Sequence, residues 1–359
     1  MTRTSRGRST NEEHILIVRL VALGDLITAS TLVERIRAER PNARVSWVVG
    51  NGGAPLVRLF PGVDEVIAVD EHRLLRGSSL QRAIAMVALW RRLLRNRYTE
   101  VIIAHPDRRY SLIALGCIGA RVRTLSRELS EHTNPIPGRF FGDEFARLLG
   151  QSENSGPLID RYDIADLRPQ LPPLRSELLP VGDRPLVVLV PGGARNIMRD
   201  TPVRRWPASR YAHVARALAE RGCDVALVGD RSDRWAADAC AGVPVLDFLG
   251  TLTLEETLGV LARASLVISH DTGPLHLARA VRAPIIALFG PTIPRQVLGA
   301  TPPNVIVMWG GEQLACRPCY NGRDFATCQN NLCMQDISVA QVIDHAEQFL
   351  NVAVVPRQS

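Results

Sequence analysis

The chain has 359 residues and a formal net charge of +7, and every one of its basic residues is arginine because the sequence contains no lysine. That inventory excludes chemistry that needs an amine, whether a Schiff base or the lysine of a Walker A loop. Apolar residues make up 46% of the chain, enough for packed cores, yet no run nears the ~18 uninterrupted apolar residues of a membrane span, so a soluble protein is expected.

The length suits two domains of about 150 residues each, which can enclose a cleft. Residues 1–13 form a basic, Ser-rich tail with neither an apolar h-region nor a cleavage site, which fits a disordered end on a cytoplasmic protein. From residue 14 short apolar runs alternate with stretches of helical period, the pattern of a doubly wound parallel α/β sheet. Strands are expected at Ile15–Leu20, Arg44–Val49, Glu65–Val69 and Val101–His105, with helices at Asp25–Arg40, Leu80–Arg95 and after Tyr110. These make a first Rossmann-like domain over 14–170. Ligands of such sheets bind beyond the carboxyl ends of the strands, so the residues there carry the functional information. After the first strand, RLVALGDLITAS places Gly24 at a tight turn and Asp25 at a helix start, where a carboxylate serves as an N-cap or as a general base facing the cleft. The stretch LQRAIAMVALWRRLLRNR has an apolar face and a basic end (Arg91, Arg92, Arg95, Arg97), and His105, Arg108 and Arg109 follow the fourth strand. They suit an anionic saccharide or anionic lipid headgroups, or else a core-packing helix with a solvated face.

A Pro-rich connection at 171–183 precedes a second Rossmann-like domain, 184–337, which restarts with LVVLVP at Leu186–Pro191. Directly after it, PGGAR offers backbone N–H groups, and the following loop carries Arg195, Arg199, Arg204 and Arg205 ahead of Trp206-Pro207, a setting that invites phosphate. A helix over Pro207–Arg221, a strand at Asp224–Val228, a helix after Asp233 and another at Leu254–Ala264 follow. The strand Ser265–Ser269 then delivers His270, Asp271 and Thr272 to the sheet edge, Gly273-Pro274 opens a helix, and His276 lies on its first turns; a strand at Pro284–Leu288 comes next. Cys117, Cys223 and Cys240 sit in apolar or helical stretches as buried small side chains. Cys316, Cys319, Cys328 and Cys333 are crowded into one segment, and their spacing fits a structural zinc or iron site or a surface loop of free thiols, and a disulfide pair less well. An amphipathic helix, Ser338–Leu350, closes the chain, and residues 338–359 are expected to return toward the first domain.

The segments ILIVRLVALGDLITASTLVERIRAERPNARVSWVVG, PGGAR…RRWPASRYAHVARAL and SHDTGPLHLARAVRAPIIALFGPT resemble the ADP-heptose:lipopolysaccharide heptosyltransferases, glycosyltransferase family 9, over nearly the whole chain. The resemblance implies a GT-B fold, with the acceptor on the first domain and the nucleotide sugar on the second, and an inverting transfer that needs no catalytic metal or other cofactor. It implies that Asp25 is the general base and that Arg204 clamps the diphosphate, where the family has a lysine. Asp271, Thr272, Gly273 and His276 match the D-T-G-x-x-H that contacts the donor, Gly193 and Ala194 fall where some members carry hydroxyls, and Asp233 falls where some contact the nucleoside. Arg205 is placed beside Arg204 at the developing phosphate charge. The implied partners are ADP-heptose and an anionic saccharide or lipid-linked acceptor such as the lipopolysaccharide inner core, met in the cytoplasm or at the inner face of the membrane. A same-fold transferase acting on a protein or natural product, a nucleotide-sugar epimerase and a non-catalytic binding protein are the alternatives. The glycine cluster GNGGAP lacks the G-x-G-x-x-G spacing of a dehydrogenase, and with aromatic residues at 5% no nucleic-acid module is recognisable.

Overall fold

A computed structural model describes residues 13–125, 139–149, 164–180, 182–195, 197, 199–321 and 324–350. Two parallel sheets organise the chain. The first has the order β3-β2-β1-β4-β5, built from β1 (His14–Val18), β2 (Arg44–Gly50), β3 (Glu65–Val69), β4 (Glu100–Ile103) and β5 (Arg121–Thr124). The second has the order β11-β10-β9-β6-β7-β8, from β6 (Leu186–Val190), β7 (Asp224–Leu227), β8 (Val245–Asp247), β9 (Leu266–His270), β10 (Ile285–Phe289) and β11 (Val305–Trp309). The central strands are buried along their whole length, as HILIV in β1 and LVVLV in β6, because helices cover both faces of a parallel sheet.

In each sheet the strand order reverses once, between β1 and β4 and between β6 and β9. Two helices join the lobes at these places. Helix α1 (Leu23–Glu39) follows β1 and packs against the helix Gly273–Ala280 that follows β9, and one apolar cluster runs through both lobes from Ile15, Leu26 and Leu32 to Val188, Leu275 and Leu277. The connection between lobes is tied down as well: Ala165 N donates to Ser30 Oγ (2.9 Å) and Arg175 pairs with Glu256 (2.6 Å).

Several expectations change in detail. The segment after Tyr110 forms a 3-10 helix, Arg108–Gly116, and α2 (Ala54–Arg58) and α3 (Glu71–Arg76) are short helices additional to those expected. The expected long helix becomes α4, Ser79–Leu93, started by a Ser78–Gln81 capping box. The final helix, Val339–Leu350, does not turn back to the first lobe within the described residues: Val342 and Ala346 are buried with Val214 and Leu218 of the helix Ala208–Glu220, and Glu347 pairs with Arg221 (2.5 Å). Beside that helix its apolar face packs on the second sheet at β9 and β10. The tail expected over 1–13 lies outside the described residues up to residue 12. Among the described residues no helix is long and apolar enough to cross a membrane.

Candidate active site

Asp25 stands in the first turn of α1, half exposed, in an ion pair with Arg19. Arg19 itself is buried, immediately after β1. Its Nη1 donates to the carbonyl of Ala104 (2.6 Å) at the end of β4, and its guanidinium lies over the Phe145 ring at 5.9 Å. It therefore spans the reversal point of the first sheet and fixes the Asp25 carboxylate there. His105, next along from Ala104, stacks on Tyr110 with ring centroids 3.9 Å apart, and its Nδ1 accepts from Asp107 N at 3.0 Å. Burial, with Arg19 nearby, pulls His105 down to about 3, so the ring is neutral with its proton on Nε2. Arg109 is held by the Asp107 carboxylate (2.6 and 2.9 Å), whereas Arg108 is exposed and makes no ion pair among the described residues.

The second lobe brings its site residues together around the turn after β6. Gly193 has φ +78°, and a Cβ there would lie 2.3 Å from Thr272 Oγ1, so the position needs glycine. Ala194 follows at φ +56°, a strained conformation held from two sides: its N–H donates to Thr272 Oγ1 (2.8 Å) and its carbonyl accepts from Thr201 Oγ1 (2.6 Å). Thr201 in turn accepts from Arg204 Nε and Nη2 (3.0 and 2.8 Å). Arg204 Nη1 sits 3.4 Å from the buried carboxylate of Asp271, which also accepts from Thr292 Oγ1 (2.9 Å). Arg205 donates to Gly193 O (2.9 Å) and pairs with Asp200. Thr201 and Thr272 thus place two hydroxyls against the PGGA turn. Asp233, expected near a nucleoside, has both carboxylate oxygens on backbone donors, Gly193 N (2.8 Å) and Asp230 N (3.0 Å), and braces the turn.

These two half-sites meet. His276 is buried, and its ring packs so closely on the turn before Asp25 that a Cβ at Gly24 would lie 2.6 Å from His276 Cδ2; Gly273 faces Leu23 in the same contact. Burial pulls His276 down to about 4, so it is neutral, and its Nδ1 is buried without a hydrogen-bond partner. His270 is likewise neutral, pulled down to about 3 by burial, and is fixed by Tyr211 through two contacts of 3.1 Å.

The segment with four cysteines covers the arginine loop. Cys319 N and Tyr320 N both donate to Pro291 O (3.1 and 3.2 Å), Tyr320 packs on Phe325 (4.7 Å between centroids), the Phe325 ring lies 5.9 Å from Arg204, and Asp324 pairs with Arg199 (3.2 Å). Tyr320 feels the charges of both Asp25 and Asp271, so it lies where the lobes face each other; burial pushes its phenol up. Cys316 and Cys328 are exposed, Cys333 is buried with its thiol toward Asn331 (3.7 Å), and among the described residues no three His, Cys, Asp or Glu side chains gather as a ligand set. Cys117, Cys223 and Cys240 are buried free thiols.

A family model described as glycosyltransferase family 9 (heptosyltransferase) matches residues 160–328. The lipooligosaccharide heptosyltransferase 2 of Haemophilus influenzae is 24% identical over 313 residues, 81% of this chain and 86% of that protein. Over these spans the chain is similar to the heptosyltransferases of glycosyltransferase family 9. Two solved structures share its two-lobed GT-B fold: the family 9 glycosyltransferase of Veillonella parvula (TM-score 0.72, 21% identity, 95% of this chain and 98% of the other) and an Escherichia coli heptosyltransferase solved with ADP (TM-score 0.65, 21% identity, 94% and 99%). In this glycosyltransferase the matched family region contains the whole arginine loop and the Asp271–His276 helix start.

Arg19, Thr201, Thr292, Tyr320 and Phe325 join the site without a sequence signal that isolates them. Arg19 reads as the end of a strand and the threonines as loop residues; only the cysteine spacing drew attention to the segment that holds Tyr320 and Phe325.

Proposed function

We propose that this glycosyltransferase moves a heptose from ADP-heptose to an anionic saccharide of the lipopolysaccharide inner-core type, with inversion at the anomeric carbon and without a catalytic metal ion. The observation that carries the reading is the His276–Gly24 contact, which sets the only half-exposed carboxylate of the first-lobe turn, Asp25, against the phosphate-binding features of the second lobe. In the proposed step Asp25 takes the proton of an acceptor hydroxyl, that oxygen bonds to the anomeric carbon, and the bond from that carbon to the diphosphate breaks, its electron pair leaving with ADP. Arg204, Arg205 and the positive end of the Gly273–Ala280 helix stabilise the leaving charge, the task a divalent cation performs in other transferases. The neutral Nε2–H of His105 and the exposed Arg108 meet the acceptor, with Arg109 held ready by Asp107. Support for the adenosine diphosphate comes from the similar E. coli enzyme, whose structure was solved with ADP. The acceptor is reached at the inner face of the cytoplasmic membrane.

Thermal shift with ADP, UDP and GDP against wild type and Arg204→Ala tests the donor. A ligand at a hundred times its Kd stabilises the fold by about 2.7 kcal/mol, an easily measured rise. ADP alone should raise Tm, and Arg204→Ala should abolish the rise; a larger response to UDP would overturn the donor assignment. Transfer with ADP-heptose that persists in excess EDTA and yields an inverted product would support the metal-free displacement, and an EDTA-sensitive reaction would refute it.

A further inference from the structure

One face of the first lobe combines two properties that water alone does not favour. Along the outer side of α4, Leu80, Ile84 and Val87 form an exposed stripe at helical spacing, with Leu80 70% exposed; beside it the 3-10 helix and its end present Leu112, Leu115 and Ile118, the last 82% exposed. Between the two elements opens a cavity of about 370 Å³ lined by Leu75, Met86, Val87, Trp90 and Leu112. The charge carried by these two elements has one sign. No acidic residue occurs from His72 through Thr99 or from Arg108 through Leu125, while Arg82, Arg91, Arg92, Arg95 and Arg108 are exposed and make no ion pair among the described residues.

We propose that this face docks on a phospholipid bilayer whose headgroups are anionic. The occupant must be apolar and negatively charged at once over a broad surface, and a bilayer interface offers acyl chains to the leucine stripe and phosphates to the arginines. A second copy of this chain is disfavoured, because a symmetric contact would bring arginine against arginine with no carboxylate between them. The site's placement gives the docking a purpose. Leu20, directly after β1, and Tyr110, which stacks on His105, line the inner wall of the cavity, so a docked bilayer lies beside the acceptor side of the cleft. In this respect the inference rests on the lipid-linked acceptor proposed above.

The test is co-sedimentation of the full-length protein with phosphatidylcholine vesicles containing phosphatidylglycerol, and with vesicles of phosphatidylcholine alone. Wild type should pellet with the anionic vesicles and stay in solution with the neutral ones. Leu80→Ser/Ile84→Ser/Leu115→Ser/Ile118→Ser and, separately, Arg91→Glu/Arg92→Glu/Arg95→Glu should each lose roughly tenfold or more in binding. Because the four aliphatic side chains are exposed, their variant should keep the wild-type Tm and its transfer rate to a deacylated, soluble acceptor, while losing transfer to a vesicle-embedded one. Vesicle binding equal to wild type in both variants would overturn the proposal; so would wild-type self-association that the aliphatic substitutions abolish, which would assign the face to a second copy. Vesicle binding by a protein that fails to use ADP-heptose would sink the donor reading and leave the docking surface standing.

Discussion

Asparagine at position 25 retains the size of the side chain but cannot take a proton, and Arg19 would still hold it in place. Asp25→Asn should therefore lower kcat by about 10³-fold, within the span general bases contribute, with little change in donor KM; a comparable loss in KM alone would move Asp25 from proton transfer to binding. Gly24→Ala makes a more local prediction. The new methyl would meet the His276 ring at 2.6 Å, so transfer should fall while His276→Ala, which removes the obstacle, makes the added Gly24→Ala nearly silent. A double-mutant cycle on kcat/KM measures this, and additive losses would mean that the contact does not join the lobes. At this scale Asp25, Arg204 and Asp271–Gly273 are legible in the sequence because glycine turns and helix starts mark them locally. Arg19 and Thr201 are not, because each acts on a partner that only the fold brings near: Arg19 on Ala104 across the sheet, Thr201 on the strained Ala194 turn.

Among the elements, the buried strands announced themselves as unbroken apolar runs, and the central ones fall within a residue or two of expectation. Of the edge strands, β3 was expected at Glu65–Val69 and lies there, but β5, β8 and β11 were not expected. β5 reads RVRT and β8 is three residues long, both too short and too polar to stand out, and β11 reads as apolar but lies at the rim with most of its residues only partly buried. The cysteine-rich segment shows the same limit from the other side: its spacing suggested a structural metal or free thiols, and nothing in it signalled the contacts that make it a cover for the arginine loop through Tyr320, Asp324 and Phe325. Dialysis against a strong chelator should accordingly leave Tm unchanged, as followed by near-UV circular dichroism; a drop of several degrees would mean that the four thiols hold a structural ion after all.

For the molecule as a whole, the buried neutral histidines set how stability responds to acid. His270 and His276 are pulled down to about 3 and 4, far below the ~6.5 of an unfolded chain. Above that value neither state binds the proton and they contribute no pH dependence. As pH falls through it the unfolded chain takes up protons that the folded chain refuses, so stability drops by about 1.4 kcal/mol per pH unit for each, or about 3 kcal/mol for the two, until the folded values are reached. Calorimetry between pH 7 and pH 5 should show Tm falling steadily; a flat profile would mean these rings are hydrated. Since one apolar cluster threads both lobes, the melt should be a single transition.

The place where the lobes touch is also a fulcrum. Gly24 and His276 lie on the first turns of the two joining helices, and Gly24 is one residue from Asp25, the proposed base. Were one lobe to rotate on the other about that point, the cleft's outer rim would travel much farther than the pivot. Such a rotation would scarcely displace Asp25, which adjoins the pivot. An acceptor would then be loaded at the rim without disturbing the proposed geometry of attack.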